Sequence, residues 1–309
     1  MQALLQFHLL PASLLLVRLC DSAPRHLLRA AESDALLVDL TPSLLLSLTY
    51  RCCSLCVMSR EGGSSGQRRL HDTKGRLAVL AASRRARVRR NSARVVLAFP
   101  VGKRYFLENR MAADIARRAV LLASILSETS DVDVWIYTSR AHQLPRLRPS
   151  DAVEWIEDWA VLSKDPLFTE DAVPRNRLAG YVRQHGLDGA GRDEDVALAV
   201  KDLAGRIPED GAPTLVLFCL WAAQSDGPAL ADRLREEADR NVFWLFLGEY
   251  SAQDSVQEVL RRLRTEAPDI ANVRLYNGWD ELADTPDYFF CKGVLKPFSR
   301  WYRSGRRPR

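Results

Sequence analysis

Short apolar runs alternate with amphipathic stretches from residue 92 to residue 305. The apolar runs have the length of buried strands and cover residues 94–101, 131–138, 213–220, 241–248 and 272–277. Apolar residues recur at helical spacing in residues 108–127, 150–160, 193–206, 226–240 and 253–265. Continuously apolar strands separated by helices are typical of a parallel sheet covered on both faces. The pattern predicts an α/β domain over 92–305 with a doubly wound, mostly parallel, Rossmann-like sheet.

The two ends of the chain lack this alternation. Residues 1–91 are rich in Leu, Ser and Arg, and they show neither helical nor strand periodicity over any long stretch. A Gly/Ser-rich stretch at 62–66 is typical of a linker. We therefore expect 1–91 to be a poorly specified basic extension or linker and 306–309 to be a short basic tail. Disorder of residues 1–91 and a start codon assigned too far upstream both fit this composition.

Charge is distributed unevenly along the chain. Residues 1–91 hold 14 basic and 6 acidic residues, whereas residues 92–291 hold 23 basic and 33 acidic ones. An acidic body repels polyanions, so nucleic acid or an anionic membrane would bind only at the basic ends. The arginines that are candidates for this role are Arg84, Arg85, Arg87, Arg89, Arg90, Arg306 and Arg307. The simpler interpretation is that they are solvated arms without a partner.

The composition is typical of a globular protein and not of a membrane-spanning or disulfide-rich one. The chain is 47% hydrophobic and 27% charged, which is usual for a globular protein. No stretch reaches the roughly 20 uninterrupted apolar residues that a membrane-spanning helix needs. Six cysteines in 309 residues are too few for a disulfide framework. Cys53 and Cys56 have the spacing of half a zinc site, but no second Cys/His pair follows. These features favour a reducing, cytoplasmic environment.

Five segments resemble a known family in order and spacing. They are Asp-Val-Trp-Ile-Tyr at 133–137, His-Gln-Leu-Pro at 142–145, and the strands that begin at residues 213, 242 and 272. Together they resemble the von Willebrand factor A (vWA) domain found at the C terminus of TerF-type tellurium-resistance proteins, over about residues 92–304. The resemblance implies a protein-interaction module that scaffolds a stress-response or tellurium-resistance assembly.

Members of that family typically hold a divalent cation in a metal-ion-dependent adhesion site. The resemblance places its Asp-x-Ser-x-Ser motif at residues 98–102, its Thr in a Gly-rich loop and its last Asp after the central strand. The residues at these positions lack suitable oxygen ligands: Ala98, Pro100, Gly102, Gly191 and Trp221. A hard divalent cation needs carboxylate and hydroxyl ligands. The site is therefore expected to be degenerate and to bind no metal.

Apolar residues would crowd the same strand ends, namely Phe99, Val101, Leu220 and Trp221. If exposed, they would form a docking face for a hydrophobic protein partner. The alternative is that an overlying loop covers them and makes them part of the core. Trp155 and Trp159, four residues apart on one predicted helix, present the same choice between core and interface.

No catalytic set stands out in the sequence. His142 follows a predicted strand and lies three residues after Ser139, but no third group is marked out to orient the histidine. We therefore expect a non-enzymatic protein with a protein partner, no cofactor and no small-molecule substrate. The alternative function is association with nucleic acid or a membrane surface through the basic arms.

Overall fold

The predicted strands assemble into one mixed sheet. The structure, a computed structural model, describes residues 64–102, 104–161, 176–187, 195–220, 227–248, 257–263, 265, 270–276 and 285–304, without the side chains of 64–72 and 104–105. Within them the strands are β1 (Arg94–Pro100), β2 (Val132–Tyr137), β3 (Ala141–Gln143), β4 (Thr214–Leu220), β5 (Val242–Gly248) and β6 (Val273–Tyr276). All five predicted strands are confirmed, and β3 is an addition.

Helices connect and cover the strands. They are α1 (Ser64–Ala86), α2 (Arg104–Glu108), α3 (Met111–Leu126), α4 (Ala152–Trp159), α5 (Arg177–Gln184), α6 (Val196–Arg206), α7 (Gly227–Glu236), α8 at residues 257–263 and α9 (Asp287–Arg303). The strand order is β3-β2-β1-β4-β5-β6. Every neighbouring pair is parallel except β2 and β3. The predicted mostly parallel α/β fold is confirmed.

Alternate side chains of each strand enter one of two apolar layers, as the pleat of a strand requires. Leu97 and Leu217 point into a layer shared with α1, α3, α4, α5 and α9. Val96 and Val216 point into the other layer, which α6, α7 and residues 259–263 complete. Both faces of the sheet are therefore covered, which explains why its central strands are continuously apolar in sequence.

The helix predicted over 108–127 is α3, and a separate short helix, α2, precedes it. Arg110 has a φ of 60°, a left-handed conformation that ends α2 and precedes α3. Its guanidinium bonds the carboxylate of Glu157 on α4, which raises the pKa of Arg110. Asp151 lies at the N-cap position of α4, but its side chain makes no capping hydrogen bond.

Helix α1 lies within the region predicted to be an unspecified extension. Val79 and Ala82 are fully buried, and Ala86 is 4% exposed, in the same apolar layer as α3 and α9. A methyl group added at Gly75 would lie 2.9 Å from Leu121 of α3. The compact unit extends from Ser65 to Arg309. The structure thus adds a helix on the N-terminal side of the expected boundary at residue 92.

Helix α9 was also missed, because Gly293 and Pro297 are typical helix breakers. The structure keeps both inside the helix. Gly293 is needed for close packing, since a methyl group there would lie 2.6 Å from the Tyr276 ring on β6. Phe290 and Phe298 of α9 are at most 1% exposed and fill the apolar layer. Tertiary burial therefore outweighs the poor helix propensity.

Candidate functional site

The carboxyl ends of β1, β2 and β4 meet at one edge of the sheet, here called the carboxyl edge. Pro100 is paired with Tyr137, and Leu220 with Gly248. Ligands of open α/β sheets bind at such an edge. Of the five positions aligned with the family metal site, Ala98 and Pro100 are buried and Gly102 is half-buried. Gly191 and Trp221 lie outside the described residues.

The aromatic ring of Tyr137 fills space above β1 at this edge. Its hydroxyl donates a hydrogen bond of 2.5 Å to the backbone carbonyl of Cys219 on β4. The ring stacks on Phe218 at a centroid distance of 4.6 Å. Ala98 of β1 is paired with Phe218 and faces the same apolar layer as both rings, and its small side chain leaves room for the stack. An aromatic bridge thus occupies the surroundings of the first metal-ligand position.

The apolar residues proposed as a docking face belong to the core. Phe99 and Leu220 are fully buried and Val101 is 4% exposed. Phe99 packs on Phe106 of α2, with ring centroids 6.2 Å apart, so α2 covers this side of β1. The strand pleat turns Leu220 to the opposite layer. This corrects the docking hypothesis for these three residues, and Trp221 lies outside the described part of the chain.

The described strand ends, residues 98–102, 137–140, 219–220 and 248, contain no carboxylate side chain. Across the described residues, no three His, Cys, Asp or Glu side chains cluster closely enough to hold a metal ion. The Cys219 thiol is fully buried, and this burial raises its pKa well above the ordinary value. A thiol held neutral is neither a nucleophile nor a metal ligand. The described part of the edge therefore presents neither an acidic side chain nor a reactive thiol as a metal ligand.

His142 lies on β3 beside a second histidine rather than in a catalytic set. Its ring centroid is 6.4 Å from that of His185, which in turn packs on Tyr181. Burial lowers the pKa of His142, and the charges of His185 and Arg206 lower it further. The nearby Asp202 carboxylate accepts hydrogen bonds from the Ala141 amide and from Arg206. Asp202 therefore anchors β3 to α6.

A buried ion cluster joins the first turns of α3 and α9. Arg118 is 2% exposed. Its Nε donates to Asp287 at 3.1 Å, and one of its terminal nitrogens lies 3.2 Å from Asp114. Arg117 donates two hydrogen bonds to Asp287, of 2.6 and 2.9 Å. Burial tends to raise the pKa of Asp287, but the bonds and charges of Arg117 and Arg118 outweigh it and lower that pKa. No pattern in the sequence indicated this cluster.

The remaining candidates fall into three groups. Trp155 and Trp159 are 5% and 8% exposed, so their interpretation as core is confirmed. The five arginines from Arg84 to Arg90 are all exposed, at the end of α1 and in the turn to β1. Four of the candidates lie outside the described residues: Arg306, Arg307, Cys53 and Cys56. In the Gly/Ser-rich stretch, residues 64–66 begin α1, so they are helical and not a linker, and residues 62–63 lie outside the described part of the chain.

Comparison with known proteins gives the family. Residues 92–309 match the family model described as a vWA domain found in the TerF C terminus. Among 37 matching chains of solved structures is proximal thread matrix protein 1 from the mussel byssus, in crystal form 2. It is 11% identical with a TM-score of 0.43, and the match covers 67% of this chain and 48% of that one.

A second matching structure is a von Willebrand factor type A protein from Catenulispora acidiphila. It is 14% identical with a TM-score of 0.33, and the match covers 66% of this chain and 43% of that one. The chain thus spans less than half the length of these two structures. No curated protein matches the sequence significantly.

Proposed function

Because this chain belongs to the family of vWA domains found in the TerF C terminus, we propose that it scaffolds a stress-response or tellurium-resistance assembly. Domains of the vWA type are generally non-catalytic interaction modules. The observation that carries the proposal is the construction of the carboxyl edge, where Tyr137 bridges β2 and β4 over Ala98. The described part of this edge is packed and presents no carboxylate side chain.

The proposed interaction needs no metal, cofactor or small-molecule substrate. A cation bridge between two proteins requires several oxygen ligands on the domain. Ala98 and Pro100 cannot supply them. The partner is therefore expected to be a protein, held by direct contacts in the cytoplasm. Among the described residues, no helix is both long and apolar enough to cross a membrane.

Site-specific photo-crosslinking tests where the partner binds. Arg140 is exposed in the turn after β2, at the carboxyl edge. Arg148 is also exposed but follows Leu147, which pairs with the first residue of β2 at the opposite edge. A photoreactive amino acid at position 140 should capture a defined partner in cells, with equal yield in the presence and absence of EDTA. The same amino acid at position 148 is the matched control and should capture none.

Two results would overturn this proposal. One is a crosslink at position 140 that EDTA abolishes, because that would show binding through a metal ion. The other is equal capture at both positions, because that would show non-specific contact. The cellular role has a separate test, in which deletion of the gene should lower tolerance to tellurite. The intact gene should restore tolerance, and unchanged growth of the deletion strain on tellurite would reject that role.

A further inference from the structure

Two basic segments that are far apart in sequence end at the same place in the fold. A methyl group added at Gly75 of α1 would lie 3.3 Å from Asp287 of α9. Further along, the Ser299 hydroxyl of α9 donates a hydrogen bond of 3.3 Å to the Arg87 carbonyl just beyond α1. Gly75 and Arg87 are as far apart in sequence as Asp287 and Ser299, and the chain reaches the two contacts in the same order in both segments. Helices α1 and α9 therefore run in the same direction. Their C-terminal ends therefore lie together.

Seven exposed arginines surround these two helix ends: Arg84, Arg85, Arg87, Arg89, Arg90, Arg300 and Arg303. We call this set the arginine surface. Residues 73–93 and 288–304 contain no aspartate or glutamate. Among the described residues, none of the seven forms an ion pair with a carboxylate. Three acidic residues, Glu128, Asp131 and Asp133, line a depression that also includes Asn91 and Ser92.

The negative end of a helix dipole favours cations in the last turn, and this accounts for part of the set. Arg84 and Arg85 lie in the last turn of α1, and Arg300 and Arg303 in that of α9. Arg87, Arg89 and Arg90 lie beyond the helix and have no such explanation. The charge at this end therefore exceeds what helix termini require.

Arg87 occupies a backbone position that normally favours glycine. Its φ is 54°, and its amide bonds the Arg84 carbonyl while the Val88 amide bonds the Ser83 carbonyl. This is the Schellman arrangement, in which the residue after the helix is left-handed and usually glycine. An arginine there strains the backbone, and such an outlier points to a role for the side chain.

We propose that the arginine surface binds the phosphate backbone of duplex nucleic acid without reading its sequence. A guanidinium presents a planar fork that matches two phosphate oxygens. Base stacking is not available next to it, because Trp301 is buried and Tyr302 is half-buried. The acidic body repels polyanions and confines binding to this end of the domain.

A membrane surface fits the arginine surface less well. Stable membrane attachment needs an apolar anchor in addition to basic charge. The large apolar side chains that are well exposed among the described residues are Leu77, Val153, Leu198 and Phe289. Leu77 precedes Arg84 by about 10 Å along α1, and Phe289 lies at the opposite end of α9. The arginine surface thus offers charge without an anchor.

Fluorescence anisotropy with the full chain and a labelled 24-base-pair duplex of arbitrary sequence tests the proposal. We expect binding that weakens steeply with salt. Replacing Arg90 and Arg300 with Gln should weaken it at least tenfold and make the slope of log K against log salt shallower by about 2, as expected for two lost phosphate contacts. The control variant, with Arg110→Gln and Arg140→Gln, has the same change in charge at two exposed arginines beside the carboxyl edge and should bind normally.

Arg87→Gly gives a second, independent readout. Glycine relieves the strained backbone, so the melting temperature should rise by about 2 °C. The variant also loses one phosphate contact, so DNA binding should weaken. Arg110→Gly is its matched control, because Arg110 is also a left-handed arginine (φ 60°) but lies after α2. That variant should leave DNA binding unchanged.

Three outcomes would overturn the proposal. The first is that the intact protein does not bind the duplex. The second is equal loss of binding in the surface and control variants, which would indicate a general charge effect. The third is that the surface variants lose binding to phosphatidylserine-containing vesicles but keep binding to the duplex, which would assign the arginine surface to anionic membranes.

Discussion

The two edges of the sheet differ in what they expose. At the carboxyl edge, Tyr137 and Phe218 close the space around Ala98, and α2 covers Phe99. At the opposite edge, where the parallel strands begin and which we call the amino edge, α1 and α9 end together and leave seven arginines in solvent. The edge at which α/β domains usually bind ligands is therefore packed where it is described, whereas the concentrated charge lies at the other edge. The fold alone does not determine where the functional surface lies.

The largest expected effect comes from removing α1, which supports the amino edge. A fragment of residues 92–309 loses Val79, Ala82 and Ala86 from the core and exposes the apolar surfaces of α3 and α9. We expect it to be less stable than a fragment of residues 64–309 by about 3–5 kcal/mol. Urea denaturation of the two fragments measures the difference. Equal stability would show that α1 is an appendage and that the domain begins at residue 92.

The next effect concerns the ion cluster beside the carboxyl edge. Asp287→Asn removes the carboxylate shared by Arg117 and Arg118, and the buried Arg118 keeps the Asp114 carboxylate and the Thr285 carbonyl as partners. We expect a loss of about 2–4 kcal/mol at pH 7. Thermal denaturation of the purified variant measures it. Asp210→Asn is the control, because Asp210 pairs with Arg94 at a more exposed position, and its effect should be much smaller.

The ion pairs of Asp287 also predict how the stability of the protein depends on pH. The pKa of Asp287 is lowered in the folded protein. Its ionised carboxylate therefore contributes fully to the free energy of unfolding above the ordinary aspartate pKa. That contribution is lost as pH falls through the lowered value. The wild-type protein should therefore lose stability in acid more steeply than Asp287→Asn. Parallel curves for the two proteins would show that Asp287 contributes no linked protonation.

The smallest effect tests how tightly the carboxyl edge is closed. Tyr137→Phe removes the hydroxyl that bonds the Cys219 carbonyl but keeps the stack on Phe218. We expect a loss of about 1 kcal/mol, the usual net value of one hydrogen bond. Tyr181→Phe, in a half-buried tyrosine of α5, should change stability little. If both variants behave alike in chemical denaturation, the bridge from Tyr137 does not close this edge.

Many features of this domain follow from local sequence. The apolar runs and the helical spacing between them predict the five parallel strands, because burial on both faces needs continuously apolar residues. The residue types at Ala98 and Pro100 suffice to predict the lack of metal ligands at those two positions, since neither side chain carries a suitable oxygen.

Other features depend on contacts between residues far apart in sequence. Helix α1 escaped prediction because its buried face includes Gly75, Ala82 and Ala86, which contribute little to an apolar pattern. Helix α9 escaped because Gly293 and Pro297 are acceptable only where Tyr276 and the core pack against the helix. Whether Phe99 is exposed or buried was decided by α2, which covers it.

The sequence by itself determined which residues are apolar, which are charged and in what order they alternate, because these are properties of each position. Only the tertiary structure decided which of them meet. It joined the arginines after α1 to those at the end of α9, more than 200 residues later, and it enclosed Arg118 between two aspartates. Burial and electrostatic neighbourhood arise from packing between distant segments, and a linear pattern does not contain that information.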